Sequence, residues 1–206
     1  MCRVLVLGLL LLAVPALADD DNAPSATFHK GQIGISARFG LGLRGIKTYK
    51  TTDYCGTVDL TAQNGNAPLC TGRSPLRLDL EAAYGVAKSI EVLLEMRLGL
   101  EKDFGATPAT TGPRPFHLSP GVRFFVSEAK HTKLFVTAQL AFDFSGYKDV
   151  SGTDRPMDFG VRSIEGVWID LHRTYGIYFY IGETAEFVRW ISGELEGGIG
   201  FQGRYP

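Results

Sequence analysis

Hydrophobic and polar residues alternate with a period of two along much of this chain. In residues 89–101, SIEVLLEMRLGLE, the even positions are apolar, whereas the odd positions include three glutamates and an arginine. Such alternation indicates a β-strand with one apolar and one polar face, here about twice the usual strand length. The pattern recurs, and eight strands are predicted, at residues 32–44, 76–86, 89–101, 116–126, 134–144, 157–171, 175–183 and 194–205.

The sixth of these segments departs from the pattern. Its face with Phe159 and Val167 also carries Ser163 and Glu165. Glycine often marks a break in a β-ladder. A β-bulge near Gly166 is therefore expected, which would exchange the inward-facing and outward-facing positions along this strand.

The connections between the predicted strands alternate between long and short. Residues 45–75, 102–115 and 145–156 form long connections, the connections between them are short, and segment 184–193 is of medium length. An up-and-down meander whose two ends face different compartments has this arrangement. The sequence therefore predicts an all-β fold, an eight-stranded antiparallel up-and-down barrel.

Two kinds of barrel fit eight alternating strands: a soluble lipocalin-like barrel with an apolar interior, and a transmembrane β-barrel with a polar interior. The clearest segments have 11–13 residues. At a rise of about 3.3 Å per residue and a tilt of about 45°, they span roughly 25–30 Å, which matches the apolar band of an outer-membrane barrel. Glycines also fall mainly on the polar faces, where they would relieve crowding inside a narrow barrel. Both observations favour the transmembrane barrel.

Charges of both signs occupy the polar faces in nearly equal numbers. Buried charges are tolerated when they are paired and hydrogen-bonded. We therefore predict a network of ion pairs in the lumen, formed by Arg38, Arg77, Asp79, Glu81, Glu91, Glu95, Arg97, Arg123, Asp143 and Glu196, with Arg44, Glu101, Glu194 and Arg204 on the same faces. The apolar faces would then contact lipid.

The N-terminus predicts export. Residues 1–18, MCRVLVLGLLLLAVPALA, combine Arg3, a short apolar run and an Ala-Leu-Ala cleavage site, as a secretory signal peptide does. The alternative is an N-terminal membrane anchor. Residues 19–30 are predicted to form a flexible periplasmic segment, and residues 31–206 the barrel. The formal net charge of −1 implies no nucleic-acid partner.

Two cysteines remain after removal of the signal peptide, which carries Cys2. An even count in an exported chain suggests a disulfide between Cys55 and Cys70 in the first long loop. Such a bridge would stiffen the loop and add about 3 kcal/mol of stability. The alternative is two free thiols.

These features resemble the small outer-membrane barrels of Gram-negative bacteria, the class that includes the OmpA transmembrane domain, OmpX and OmpW. The resemblance covers residues 31–206 and includes segments such as HLSPGVRFF (117–125) and GELEGGIGFQGRY (193–205). It implies an outer-membrane location and contact with outer-membrane lipid. It also implies that the barrel assembly machinery recognises the last strand through Phe201 and Tyr205, although Pro206 follows Tyr205 here.

One pair of residues suggests a catalytic site. His117 and Ser119 share a strand face, and outer-membrane lipid A deacylases carry an H-x-S pair with a nearby glutamate. Here the predicted register turns the pair toward the lumen, and Glu128 falls at the opposite end of the barrel. A hydrogen-bonded pair inside the lumen is the alternative interpretation.

The remaining residues indicate a function in structure or interaction. No spacing typical of a metal site joins His29, His131 and His172, and neither a metal nor a cofactor is predicted. The predicted function is that of a structural or interaction barrel, with extracellular ligands expected at loop 45–75 or loop 102–115. The alternatives are a narrow channel for small or hydrophobic solutes and a lipid A-modifying enzyme.

Overall fold

The computed structural model of the protein describes residues 29–47, 69–102, 114–129, 131–148, 154–155, 157–172 and 174–205. In these ranges the strands are β1 (Ile33–Lys47), β2 (Leu69–Arg73), β3 (Arg77–Ala87), β4 (Ile90–Gly99), β5 (Phe116–Glu128), β6 (Thr132–Asp143), β7 (Tyr147–Lys148), β8 (Asp154–Arg155), β9 (Asp158–His172), β10 (Tyr175–Glu186) and β11 (Ile191–Tyr205). Among the described residues, no helix has the length and apolar character needed to cross a membrane.

Eight long strands close into a barrel. Hydrogen-bonded neighbours follow the order β11, β10, β9, β6, β5, β4, β3 and β1, and β1 pairs with β11 to complete the ring. Strand β2 lies in line with β3 and pairs with the second half of β1, while β7 and β8 form a separate small hairpin. The prediction of an all-β, eight-stranded antiparallel up-and-down barrel is confirmed.

Polar side chains point into this barrel and apolar side chains point outward. On β4, Glu91, Glu95 and Arg97 are at most 2 % exposed, whereas Val92 and Leu94 are 41 % and 48 % exposed. A soluble barrel would have the opposite arrangement. An apolar outer band around a polar interior is typical of transmembrane β-barrels, whose outer side chains contact lipid tails.

The two ends of the barrel differ. At one end, called the short-turn end here, tight connections join β3 to β4, β5 to β6 and β9 to β10. Register shifts at Gly85/Ala87, Phe125/Ser127 and Tyr175/Gly176 lie beside these turns. At the other end, called the long-loop end, longer segments follow β1, β4 and β6, and a shorter one follows β10.

The β-bulge expected near Gly166 is absent, and this prediction is wrong. Strand β9 pairs without interruption through Gly166, which lies opposite Phe135 on β6 and Tyr180 on β10. A Cβ at Gly166 would collide with the Phe135 ring, so the glycine makes room for close packing in the interior. Ser163 and Glu165 face outward among apolar residues, and the Ser163 hydroxyl donates a hydrogen bond to Glu165.

Glu101 also departs from the prediction that placed it on a lumen-facing strand. Strand β4 ends at Gly99, so Glu101 lies beyond it at the rim of the long-loop end, partly exposed. Its carboxylate accepts hydrogen bonds from the backbone N–H of Leu76 at 3.0 Å and from Arg73 at 2.6 Å. These two contacts lower the pKa of Glu101 below its usual value.

Glycines allow the closest approaches inside the barrel. Gly42 on β1 faces the interior, and a Cβ there would collide with the main chain of Leu195 and Glu196 on β11. Gly193 on the outer face has no atom within 4 Å of where its Cβ would lie. Crowding is therefore specific to the inner surface, as expected for a narrow eight-stranded barrel.

Several sequence predictions lie outside the described residues. These are the signal peptide (1–18), residues 19–28 of the N-terminal segment, and Cys55. The backbone of Cys70 belongs to β2. The last two residues of the N-terminal segment, His29 and Lys30, are described, and the backbone N–H of His29 bonds to the carbonyl of Lys88 at 3.1 Å.

Candidate functional site

The barrel interior contains three groups of side chains, stacked from the long-loop end to the short-turn end. We call them the rim cluster, the central network and the aromatic plug, and each is defined below by its residues. All three are assembled by the period-two alternation of the strands, which directs every second side chain toward the axis.

The central network consists of Arg38, Asp79, Glu95, Arg97, Arg162 and Glu196. Arg38 donates to Asp79 at 3.0 Å and also bonds Glu95. Arg97 binds both Asp79, at 3.0 Å, and Glu196, at 2.7 Å. Each acid in this network thus contacts at least two guanidinium groups, as buried charges require.

Arg162 connects opposite walls of the barrel. It reaches Asp79 at 3.2 Å and also bonds Glu95 and Glu196. Asp79 lies on β3 and Arg162 on β9, which are four places apart in the eight-stranded ring. These ion pairs therefore cross the full width of the lumen rather than following its wall.

The aromatic plug lies toward the short-turn end. It consists of Phe125, Phe135, Ile164, Trp168, Tyr178 and Tyr180, all of which are buried. Trp168 stacks on Tyr178 with ring centroids 5.3 Å apart, and the Arg204 guanidinium lies 4.3 Å from the centroid of the Trp168 ring. Cation–π contacts of this kind let an arginine remain charged among rings.

His29 covers the end of this plug. Its ring stacks on Phe125 at a centroid distance of 3.9 Å, and its Nδ1 lies 3.1 Å from Glu91 Oε1 and 2.7 Å from Arg204 Nη1. Burial lowers the pKa of His29 below its ordinary value. The short-turn end of the lumen is therefore covered by a residue that precedes the first strand.

Arg123 links the aromatic plug to the acids next to it. It binds Glu81 at 2.7 Å and Glu91 at 3.2 Å, and its guanidinium lies 5.1 Å from the centroid of the Phe135 ring. Lys133 adds an ion pair with Asp170 at 2.9 Å. Charged and aromatic side chains are thus interleaved over the whole short-turn half.

The rim cluster lies at the long-loop end and consists of His117, Asp143, Glu186, Arg44 and Arg189. Arg44 contacts Glu186 at 3.3 Å, and Arg189 contacts Asp143 at 3.2 Å. The ring nitrogens of His117 lie 3.7 Å from Asp143 Oδ1 and 3.6 Å from Glu186 Oε1. Below this cluster, Arg77 pairs with Glu194.

The ten residues assigned to the lumen from the sequence are all buried inside the barrel, at most 3 % exposed. Arg162 was not predicted from the sequence. Polar residues occur on both faces of the sixth segment, so the alternation does not show which face points into the barrel. Glu186 was not predicted either. It lay in a predicted connection, although the alternation of Gly182, Thr184 and Glu186 continues that of β10. His29 carried no periodic signal.

The pair considered for lipid A chemistry is enclosed by the barrel wall. His117 and Ser119 point inward and are 3 % and 2 % exposed, and Ser119 lies opposite Glu95 on β4. Glu128 is at the short-turn end, where its carboxylate lies 3.5 Å from His29 Nε2. Within the described part of the chain, this arrangement places the pair away from the lipid-facing surface and apart from Glu128.

The two residues expected to guide assembly face outward on the last strand. Phe201 and Tyr205 are 51 % and 60 % exposed, and Tyr205 pairs with Ile33 at the short-turn end. Their position on the outer surface leaves both rings accessible from lipid or from a partner protein.

Comparison with solved structures identifies the fold class. The chain is similar to the N-terminal β-barrel domain of Pseudomonas aeruginosa OprF, with a TM-score of 0.55 and 10% identity, over 85% of this chain and 98% of that one. It is also similar to Neisserial surface protein A (TM-score 0.54, 12% identity, 83% and 98% covered). A third similar structure is Ail, the attachment invasion locus protein of Yersinia pestis (TM-score 0.50, 12% identity, 85% and 99% covered).

The fold is that of the small outer-membrane β-barrels, as the resemblance seen in the sequence predicted. At 10–12% identity the likeness concerns the fold alone. No protein-family model and no curated protein sequence matches the chain.

Proposed function

We propose that this protein is an outer-membrane β-barrel of a Gram-negative bacterium that acts as a closed structural or interaction scaffold. Its interior holds the barrel rigid, and its long loops carry the contacts with the surroundings. This function is neither that of a channel nor that of an enzyme. The fold shared with outer-membrane barrels and the apolar outer band support the location.

The observation that carries this proposal is the occupancy of the lumen. Ion pairs between β3 and β9 cross the lumen in the middle. Nearer the short-turn end, the Arg204 guanidinium on β11 crosses the lumen to lie 5.2 Å from the centroid of the Phe125 ring on β5, and the His29 ring stacks on Phe125. A small eight-stranded barrel has an interior just wide enough for side chains to fill. In proteins with a rigid scaffold, the loops usually carry the binding residues and most of the sequence variability.

The proposed orientation follows from the two ends. After removal of the signal peptide, both termini and the short turns lie in the periplasm, and the long loops lie outside the cell. Loops 45–75 and 102–115 then present the surface for an extracellular ligand, and a Cys55–Cys70 disulfide stiffens the first of them. Phe201 and Tyr205 face outward, which supports their recognition by the barrel assembly machinery.

Planar-bilayer conductance tests the scaffold function. The purified wild-type barrel is expected to give no steady conductance steps, because charged and aromatic side chains cross its lumen. The double variant Trp168→Ala/Tyr178→Ala removes the ring stack and is expected to give more frequent steps. A wide porin in the same bilayer serves as the positive control. Regular conductance by the wild-type protein would reject the scaffold and support the narrow channel.

A further inference from the structure

Three side chains from different strands meet at the long-loop end of the lumen. His117 is the second residue of β5, while Asp143 and Glu186 are the last residues of β6 and β10. One potential ligand atom from each residue lies within 4.8 Å of the other two. The closest approaches of His117 to the two carboxylates, 3.6 and 3.7 Å, are too long for hydrogen bonds. The three groups therefore face one another without bonding directly.

One carboxylate oxygen of this set lacks a hydrogen-bond partner. Glu186 Oε2 accepts from Ser192 at 2.8 Å and from Arg44 at 3.3 Å, whereas Glu186 Oε1 is buried and accepts none. This unpartnered oxygen is the atom that lies 3.6 Å from His117 Nδ1. A buried carboxylate oxygen left unsatisfied is costly and calls for an additional partner at this position.

The neighbouring strand provides a second unsatisfied oxygen. Asp158 begins β9 directly opposite Asp143, and it is fully buried. Its Oδ1 accepts backbone hydrogen bonds from Val188 and Arg189, whereas its Oδ2 has no hydrogen-bond partner. A second buried acid with an open oxygen thus lies beside the cluster.

The local charge also favours a cation. Two of the three buried carboxylates here pair with guanidinium groups, Glu186 with Arg44 and Asp143 with Arg189. The third, that of Asp158, accepts hydrogen bonds from backbone N–H groups. With a neutral imidazole, three negative and two positive charges leave a net charge of −1. A bound divalent cation would compensate this excess in an interior where unpaired charge is expensive.

We propose that His117, Asp143 and Glu186 bind one divalent transition-metal ion, with Zn²⁺ as the best match. One imidazole nitrogen and two carboxylate oxygens form a donor set that suits zinc, whereas the imidazole disfavours calcium and magnesium. Ligands at about 2.1 Å from a tetrahedral ion are about 3.4 Å apart, and the three candidate ligand atoms here lie within 4.8 Å of one another, so they would have to move closer together on binding. Small side-chain rotations would bring one ring nitrogen and one oxygen of each acid onto the ion.

The position of the site indicates what the ion would do. The three ligands tie together β5, β6 and β10, each at the point where the strand meets the long-loop end. An ion bound only by the folded barrel stabilises it by mass action. The ion would therefore stabilise the strand ends from which the loops extend. Its fourth coordination position would be open to water.

Zinc binding by the purified, metal-stripped full-length barrel tests this proposal. Equilibrium dialysis with elemental analysis is expected to find one Zn²⁺ bound at the site per barrel, and Zn²⁺ is expected to raise the midpoint of thermal unfolding. His117→Gln is expected to weaken binding at least tenfold and to abolish this shift. His172→Gln, which changes an exposed histidine at the opposite end, is the matched control and should bind like the wild type.

Heat-modifiable gel migration verifies that each variant is folded. Should His117→Gln fail to fold, Asp143→Asn replaces it, with the outward-facing Glu183→Gln as its control. Absence of zinc binding by the wild-type protein, or equal binding by folded His117→Gln and Asp143→Asn, would overturn the site. Loss of binding confined to the variants of the rim cluster supports it. Neither outcome depends on whether the lumen conducts ions.

Discussion

Replacement of Arg162 by methionine is expected to lower the free energy of unfolding by about 3–5 kcal/mol, the usual cost of removing one partner from a buried ion pair. Arg162 contacts Asp79, Glu95 and Glu196. Its loss leaves these three acids with Arg38, Arg97 and, at 3.7 Å from Glu196, Arg77. Methionine fills much of the same volume, so the effect reports lost charge rather than a cavity. Urea unfolding of the protein in lipid vesicles, followed by circular dichroism, measures the change.

The matched control is Arg73→Met. Arg73 also forms an ion pair, with Glu101 at 2.6 Å, but both side chains are exposed at the rim. Exposed pairs contribute at most about 1 kcal/mol, so this variant should unfold close to the wild type. If Arg162→Met and Arg73→Met lose equal free energy of unfolding, burial of the ion pairs inside the barrel adds no stability. That result would contradict the buried network.

Gly42→Val is expected to lower the free energy of unfolding by about 3 kcal/mol, the upper part of the range for overpacking. Any Cβ at Gly42 meets the backbone of Leu195 and Glu196 on the neighbouring strand. These main-chain atoms cannot move aside without disturbing the pairing of β1 with β11, which closes the barrel. The same urea titration measures the loss.

Gly193→Val provides the comparison on the outer face of the barrel. Its added side chain enters open space, so the free energy of unfolding should change by no more than about 0.5 kcal/mol. If both valine variants are equally stable, the inner surface of the barrel is not crowded. The inward glycines would then need another explanation.

The fold could be predicted from the sequence because one rule, alternation with a period of two, determines both the strand and the direction of each side chain. Glu91, Glu95 and Arg97 could be assigned to the interior in this way before any contact was known. The rule fails where polarity does not separate the faces. On β9, the polar residues Ser163 and Glu165 face outward, so polarity alone does not show that Arg162 faces inward. The sequence therefore predicted a bulge that the strand does not have.

The rim cluster could not be predicted in the same way. His117, Asp143 and Glu186 lie far apart in sequence and meet only because three strand ends close around the same part of the lumen. Spacing along the chain cannot show this, because it depends on the order and length of all eight strands. His29 is a similar case, since it precedes the first strand and its buried ring stacks on Phe125, which is distant in sequence.

Quenching of tryptophan fluorescence by brominated lipid tests most directly whether the polar faces are turned inward. The chain has two tryptophans, and both Trp168 and Trp190 are at most 5 % exposed. In bilayers of dibrominated phosphatidylcholine, the wild-type emission should be quenched only weakly. Phe179→Trp, which adds an indole on the outer face, should introduce a strongly quenched component. Strong quenching of the wild-type emission, equal to that of the added indole, would contradict the orientation of the barrel wall.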